Sequence, residues 1–388
     1  MMFQLSAYLF VFASLFLTRA EPISRKELEK NYAKGLHLIS LTDNSDPVWK
    51  TEAETLELIR AHINFFDVTD IYDPEKEATV ALSRYASFAA IDDISIQATY
   101  ASPSHQSAVT PLFKTVSVSN MQSYLGNLTA FNNRYYTSTT GVQATTWIVN
   151  TVSQIAALYP NSKATVSAFK HTWAQSSIVA KIPGSTNGPI TILGAHMDSI
   201  NSASPSSGRA PGADDDGSGS VNLIEAFRVL LASGFKPTTP VEFHWYAAEE
   251  VGLRGSQAIA TSYKSSNVQV KAMLQFDMTA YVKPGVKETI GLMPDYVDAG
   301  LTSFVASLID SYLLIPWATS QPCGYACSDH ASWYKQSYPA ALPFESLFSN
   351  SNANIHKTAD TTAVSGFSWT HTLEYAKLAV AFAYELAI

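Results

Sequence analysis

Cysteine and charge are both scarce in this chain. Two cysteines, Cys323 and Cys327, are too few for a disulfide-built scaffold or a four-thiolate zinc site. Asp, Glu, Lys and Arg together make up 15%, against roughly 25% in ordinary soluble domains. The balance is −8 and no Lys/Arg cluster interrupts it, which argues against a nucleic-acid partner. The sequence has no Gly-x-Ser-x-Gly, no His-Glu-x-x-His, no phosphate loop and no dinucleotide fingerprint. A serine-hydrolase elbow, a single-zinc helix site and nucleotide-dependent chemistry are therefore unsupported. Beyond the N-terminus no apolar run reaches transmembrane length, so no membrane partner is expected. What remains is 388 residues, 46% hydrophobic, enough for one large globular domain with appendages.

The apolar stretch Leu5–Leu17 is about 13 residues long, too short to span a bilayer. Small residues lead to a cleavage point after Ala20, so residues 1–20 read as a secretory signal and the product as extracellular. Two cysteines four apart in a secreted chain suggest one disulfide, with two free buried thiols as the alternative. Asn127 opens the one Asn-Leu-Thr glycosylation acceptor.

Residues 21–88 carry 13 acids and 8 bases and one strong helix pattern over Glu52–Phe66. There Thr51 and Glu54 form a capping-box pair, and Ala53, Leu56, Ile59, Ile63 and Phe66 recur at helical spacing. This segment reads as a propeptide ending somewhere between 85 and 100, or as a small N-terminal subdomain. From about residue 115 helices and strands alternate: strands at Thr165–Phe169, Ile178–Ile182, Ile190–Leu193, Val241–Ala248 and Met273–Phe276, and helices at Thr145–Leu158, Val221–Leu231, Ser256–Tyr263, Leu301–Leu314 and Thr372–Ala387. That order predicts a single α/β domain over 89–388, with a mostly parallel, mixed central sheet flanked by helices.

Acids and histidines gather where the strand patterns stop. His196 and Asp198 follow the first, Glu249 and Glu250 the second, and Asp277 the third. Strand carboxyl ends in an open α/β sheet share one crevice, and carboxylates meeting there would repel one another unless cations held them. His196 suits a ligand and Asp198 either a ligand or its orienting carboxylate. Asp214-Asp215-Asp216, between glycines, lacks the alternating spacing of a calcium loop. If Glu249 and Glu250 occupy adjacent strand positions they face opposite ways, so one can ligate while the other serves as a base. His356 lies on a distant loop and His330, beside Asp329, competes with it. His244, mid-strand, reads as structural.

Taken together, Gly194–Ser199, Pro211–Gly219, Ala247–Ser256, Gln275–Met278, Cys323–His330 and Ile355–Asp360 resemble the secreted co-catalytic di-zinc aminopeptidases, most of all their fungal extracellular leucine-aminopeptidase branch. The resemblance runs from about residue 100 to 388, and the stretch Glu52–Asp70 resembles the fungal propeptides. It implies a zinc-exopeptidase fold and two Zn²⁺ ions. Asp215 would bridge them, with Glu250 and His356 on one and His196 and Asp277 on the other. It implies Glu249 as general base, Asp198 as support for His196, and a Cys323–Cys327 disulfide with Tyr325 pointing at the site. Met278, Phe344, Phe348 and Ile355 flank the matched blocks and read either as an apolar substrate pocket or as core. The expected partner is a peptide with a free N-terminus, the enzyme a monomer. A cyclase or carboxypeptidase on the same scaffold, or a non-catalytic ectodomain-like protein, are the alternatives.

Overall fold

The computed structural model describes residues 23–43, 45–77 and 98–388. The signal segment, its cleavage point and nearly all of the 85–100 boundary region lie outside the described residues.

The N-terminal segment begins with helix α1 (Arg25–Tyr32), followed by strands β1 (Leu36–Ser40) and β2 (Val48–Thr51). Thr51 caps helix α2 (Glu52–Arg60), and Glu54 returns the bond to the Thr51 N–H, a reciprocal pair worth about 1 kcal/mol. The helix is shorter than the Glu52–Phe66 expected. His62 takes a left-handed φ of 54°, which stops the helical ladder, and Phe66–Asp67 becomes β3. These strands form an antiparallel sheet in the order β2-β1-β3.

Helices α3 (Val118–Ala130) and α4 (Thr139–Leu158) lead into the main body; α4 starts six residues before the expected point because Ser138 caps it. Asn127 is exposed on α3. Strands β4 (Thr165–Phe169), β5 (Ser177–Ile182) and β6 (Ile190–His196) follow, then α5 (Gly217–Ala232), β7 (Val241–Tyr246), α6 (Arg254–Ser265) and β8 (Val270–Gln275). The chain continues through β9 (Ile290–Leu292), α7 (Ala299–Tyr312), β10 (Trp317–Thr319), α8 (His330–Lys335), β11 (Ala340–Ala341), β12 (Pro343–Phe344) and α9 (Trp369–Ala387).

The main sheet has the order β11-β8-β6-β7-β5-β4. Its first four strands are parallel and β5 and β4 antiparallel, the mixed sheet expected. Every residue of β6 and β7 is buried, as two-sided coverage demands. Alternation assigns the faces. Leu193, Phe243, Trp245 and Leu274 pack with Phe227 of α5 and Phe382 of α9. Ile192, Tyr246 and Met273 pack on the other face with Ile259 of α6 and Trp333 of α8. Each such side chain contributes about 1.5–3 kcal/mol. His244 is buried mid-strand between Glu242 and Tyr246, the structural place expected of it. The small sheet β10-β9-β12 flanks the body and carries Phe344. Among the described residues no helix is long and apolar enough to cross a membrane.

Candidate active site

The parallel strands β6, β7 and β8 deliver acids and histidines from their carboxyl ends. His196 is the last residue of β6. Strand β7 stops at Tyr246, two residues short of the expected end. Ala248 then adopts a left-handed φ of 57° that swings Glu249 and Glu250 off the sheet. The two glutamates thus leave the sheet on a turn and both line one cavity, instead of facing opposite ways as adjacent strand positions would. Asp277 lies just past β8, and Asp215 just ahead of α5. His356 arrives on the loop before α9, itself at a φ of 57°.

These elements bring two donor groups together, His196–Asp215–Asp277 and Asp215–Glu250–His356. In each, the candidate ligand atoms lie within 4.8 Å of one another. Asp215 belongs to both: one carboxylate oxygen is 3.0 Å from His196 Nε2 and the other 3.0 Å from His356 Nε2. Glu250 Oε2 is 3.0 Å from His356 Nε2, and Asp277 Oδ1 is 3.5 Å from His196 Nε2. Glu249 Oε2 stands 4.0 Å from His196 Nε2, beside the donors rather than among them. His330 is not brought in. It is buried beside the Asp295 carbonyl at 3.0 Å, and burial pushes its imidazole down to about 4.

Unpaired buried carboxylates would cost several kcal/mol each, and backbone donors offset this. Asp198 accepts the N–H groups of both Glu249 and Glu250, and its Oδ1 faces His196 Nδ1 at 3.5 Å. Glu250 also accepts from the Ile200 N–H, and Asp277 from the Ser328 hydroxyl. The three consecutive aspartates have three jobs. Asp214 accepts from the Ala280 N–H and the Asn352 amide. Asp216 caps α5 and accepts from the His196 and Met278 N–H groups. Asp215 alone enters the donor groups. Asp360 holds the triplet from behind, accepting the N–H groups of Asp214 and Asp215. The fully buried Arg134 guanidinium bonds the Met197, Pro211 and Gly212 carbonyls and adds one positive charge near these acids.

The electrostatics fit a pair of cations. Burial pushes the Glu250 carboxyl up to about 7, with Asp215 adding to it, and raises Glu249 well above the usual range. Burial acts the same way on Asp215, but hydrogen bonds from His196 and His356 outweigh it and hold that carboxyl low. Both imidazoles are drawn well above 6.5 despite burial, His196 chiefly by Asp277 and His356 chiefly by Glu250. A site that pulls positive charge onto two histidines from both sides of one carboxylate has the field and the nitrogen–oxygen donors that divalent zinc takes.

A cavity of about 250 Å³ opens over this cluster. Its floor includes Asp215, Glu249, Glu250 and Asp277, and Met278, Phe344, Phe348, Ile355 and the Cys323–Cys327 disulfide line its side. Tyr325, expected to point at the site, does not line the cavity. Its hydroxyl meets Ser40 Oγ at 3.1 Å and the Lys335 amine at 3.0 Å, and its ring packs on Phe66. The N-terminal segment claims it. The same segment adds Ile59, His62, Ile63, Asn64 and Phe65 to the cavity wall, beside Gly252, Leu253, Ala326 and His356 of the body.

A buried acid–histidine crevice thus stands at the ends of β6, β7 and β8. Residues 177–383 match the model of peptidase family M28. The chain belongs to that family. As an M28 member it is a hydrolase of the metallo-aminopeptidase type whose substrates are peptides. Leucine aminopeptidase 1 of Penicillium rubens is 44% identical over 351 residues, covering 87% of each chain. The protein of the same name from Coccidioides posadasii is 45% identical over 352 residues, covering 87% of this chain and 86% of its own. The crystal structure of the LapA aminopeptidase of Legionella pneumophila superposes with a TM-score of 0.76 at 32% identity, covering 92% of this chain and 96% of that one.

Within the M28 chain, sequence reasoning had no role for Arg134, Asp360 or Ser328. Asp360 sits inside a block already singled out with His356, and its position beside a buried loop was the available signal. Arg134, in Asn132-Asn133-Arg134-Tyr135-Tyr136, carried none, because its function is to satisfy carbonyls 63 to 78 residues away.

Proposed function

We propose that this chain is the precursor of a secreted, monomeric aminopeptidase that works with two zinc ions. It cuts the first peptide bond of peptides and proteins and prefers leucine or another bulky apolar N-terminal residue. The observation that carries this reading is the shared carboxylate of Asp215, with one oxygen toward each donor group. His196, Asp215 and Asp277 would hold one ion, and Asp215, Glu250 and His356 the other. Ions bound there would polarise the scissile carbonyl and lower the pKa of the attacking water. Glu249 takes the proton of that water at Oε2 and delivers it to the leaving amine nitrogen. Asp198 positions both glutamates through their backbone N–H groups. The acidic floor attracts a protonated α-amine, which restricts cleavage to the first residue, and Met278, Phe344, Phe348 and Ile355 receive the apolar side chain.

Exhaustive chelation should remove two zinc equivalents and abolish release from leucyl p-nitroanilide, and added zinc should restore it. Full turnover after metal removal would refute the reading. Peptides with acetylated N-termini should survive intact; their cleavage would point to a different exopeptidase chemistry.

Residues 21–88 act in this reading as a propeptide and 89–388 as the mature enzyme. Within the segment His37 lies 2.7 Å from Asp67 and 3.1 Å from Glu52, the two carboxylates that in turn reach the body. Glu52 accepts from the Tyr135 hydroxyl, and Asp67 and Asp70 face Arg254 at 3.6 and 2.5 Å. Burial lowers the His37 pKa and Arg254 opposes its charge, yet bonds to Asp67 and Glu52 raise it to about 9, while both carboxylates are held low. A folded-state value above the unfolded 6.5 means full stabilisation below pH 6.5 and loss as pH rises through 9, on the order of 3 kcal/mol. The N-terminal segment of the intact chain should therefore resist limited proteolysis best at mildly acidic pH and loosen between pH 7 and 9. His37→Asn should flatten that profile. Resistance that grows as pH rises would contradict this linkage.

A further inference from the structure

The N-terminal segment covers the cleft without filling it. Its turn after α2 is pinned at three points around the cavity rim. Arg60 Nε donates to the Ser202 carbonyl at 2.7 Å, and the Ser202 N–H in turn donates to the His356 carbonyl at 3.0 Å. The Asn64 amide donates to the Cys323 carbonyl at 3.3 Å, beside the disulfide. The Asp67 N–H donates to the Gly252 carbonyl at 3.0 Å, two residues past Glu250. Between the first two anchors the chain passes through His62, whose ring stacks on that of His356 with centroids 6.5 Å apart and planes 19° from parallel. The left-handed backbone at His62, which a non-glycine residue adopts reluctantly, is thus held by anchors on either side.

Beneath this cover about 250 Å³ remains open to the donor carboxylates and to the apolar wall. A water's share of the liquid is about 30 Å³, so the chamber has room for several. Leucine, with nine non-hydrogen atoms, is small against this volume, and His62 and Asn64 stand in the cavity wall.

We propose that the uncleaved chain keeps a one-residue chamber. It binds a single free amino acid with an apolar side chain and excludes peptides, because the turn Arg60–Phe65 blocks the path of the second residue rather than the pocket of the first. This deepens the aminopeptidase reading and rests on it. Latency is then steric and selective: the precursor responds to the product of its own reaction while remaining closed to its substrate.

The test compares the intact zinc-loaded chain with the same chain after limited proteolysis of its N-terminal segment, using calorimetry with L-leucine and with a leucyl tripeptide whose first peptide bond is reduced to a methylene amine. The expected result is leucine binding to both forms within about threefold and tripeptide binding at least about 100-fold weaker to the intact chain. His62→Ala in the intact chain should regain about tenfold or more of the tripeptide affinity; His62 is exposed, so the fold does not rest on it. An intact chain that binds neither ligand, while the processed form binds both, means that the turn fills the chamber and overturns the proposal. Equal tripeptide binding to both forms means that the turn is no barrier and overturns it as well. If the processed form binds neither, the aminopeptidase reading itself falls and takes the proposal with it.

Discussion

Glu249→Ala is expected to lose roughly 10²–10⁴-fold in kcat on leucyl substrates, the range of a removed general acid–base group, while the protein still carries two metal ions. The reasoning is geometric. Glu249 Oε2 stands 4.0 Å from His196 Nε2 and belongs to neither donor group, so its removal leaves all five candidate ligands in place. Its backbone N–H donates to Asp198 whatever side chain it bears, so the loop should keep its course and Glu250 its aim. KM should therefore change little and metal analysis should not change at all. A variant that loses a metal ion along with turnover would make residue 249 a ligand, and one that keeps wild-type kcat would move the base elsewhere.

Asp215→Ala is the second large effect, and it is expected to act through metal content. One side chain serves both groups, its two oxygens each 3.0 Å from a different imidazole. In the two-zinc reading, deleting it would take a ligand from each ion at once. Zinc per chain should fall from near two to below one, with activity lost in parallel. Asp360→Asn is the informative contrast. Asp360 touches no candidate ligand atom and instead accepts the N–H groups of Asp214 and Asp215. Changing a residue one step removed from the metal should weaken zinc affinity by roughly 10–100-fold, so activity should return at high zinc. If excess zinc rescues Asp215→Ala equally well, the bridging role is wrong.

Much of the main body was legible because local pattern and fold agree there. The strand runs at Ile190, Val241 and Val270 are mostly apolar, broken only by residues such as Glu242, His244 and Lys271, as suits strands covered on two faces, and the helices between them have clean stops. The errors came where a single backbone angle overrides periodicity. His62 cuts α2 short before Phe66, and Ala248 ends β7 before Glu249, each through a left-handed φ. Alanine does not advertise that conformation, and histidine, though it adopts it more readily than most residues, does so too seldom to fix a helix end from sequence. Tyr325 was misjudged for another reason. Its expected direction rested on the disulfide loop alone, whereas Ser40 and Phe66, more than 250 positions earlier in the chain, draw it to the N-terminal segment.

The amino-acid order by itself determined which residue types stand at the ends of the parallel strands, because strand and helix periods are local and the acids follow the strands directly. It determined as well that such a cluster calls for cations, since carboxylates do not crowd together uncompensated. Only the tertiary structure set His356 beside Asp215 and Glu250 and left His330 against the Asp295 carbonyl, brought Asp360 and Arg134 behind the aspartate triplet, and laid the turn at His62 across the cavity. His330 apart, those choices depend on where loops of the chain return after 63 residues or more, and that return is governed by packing and backbone hydrogen bonds distributed over the whole body.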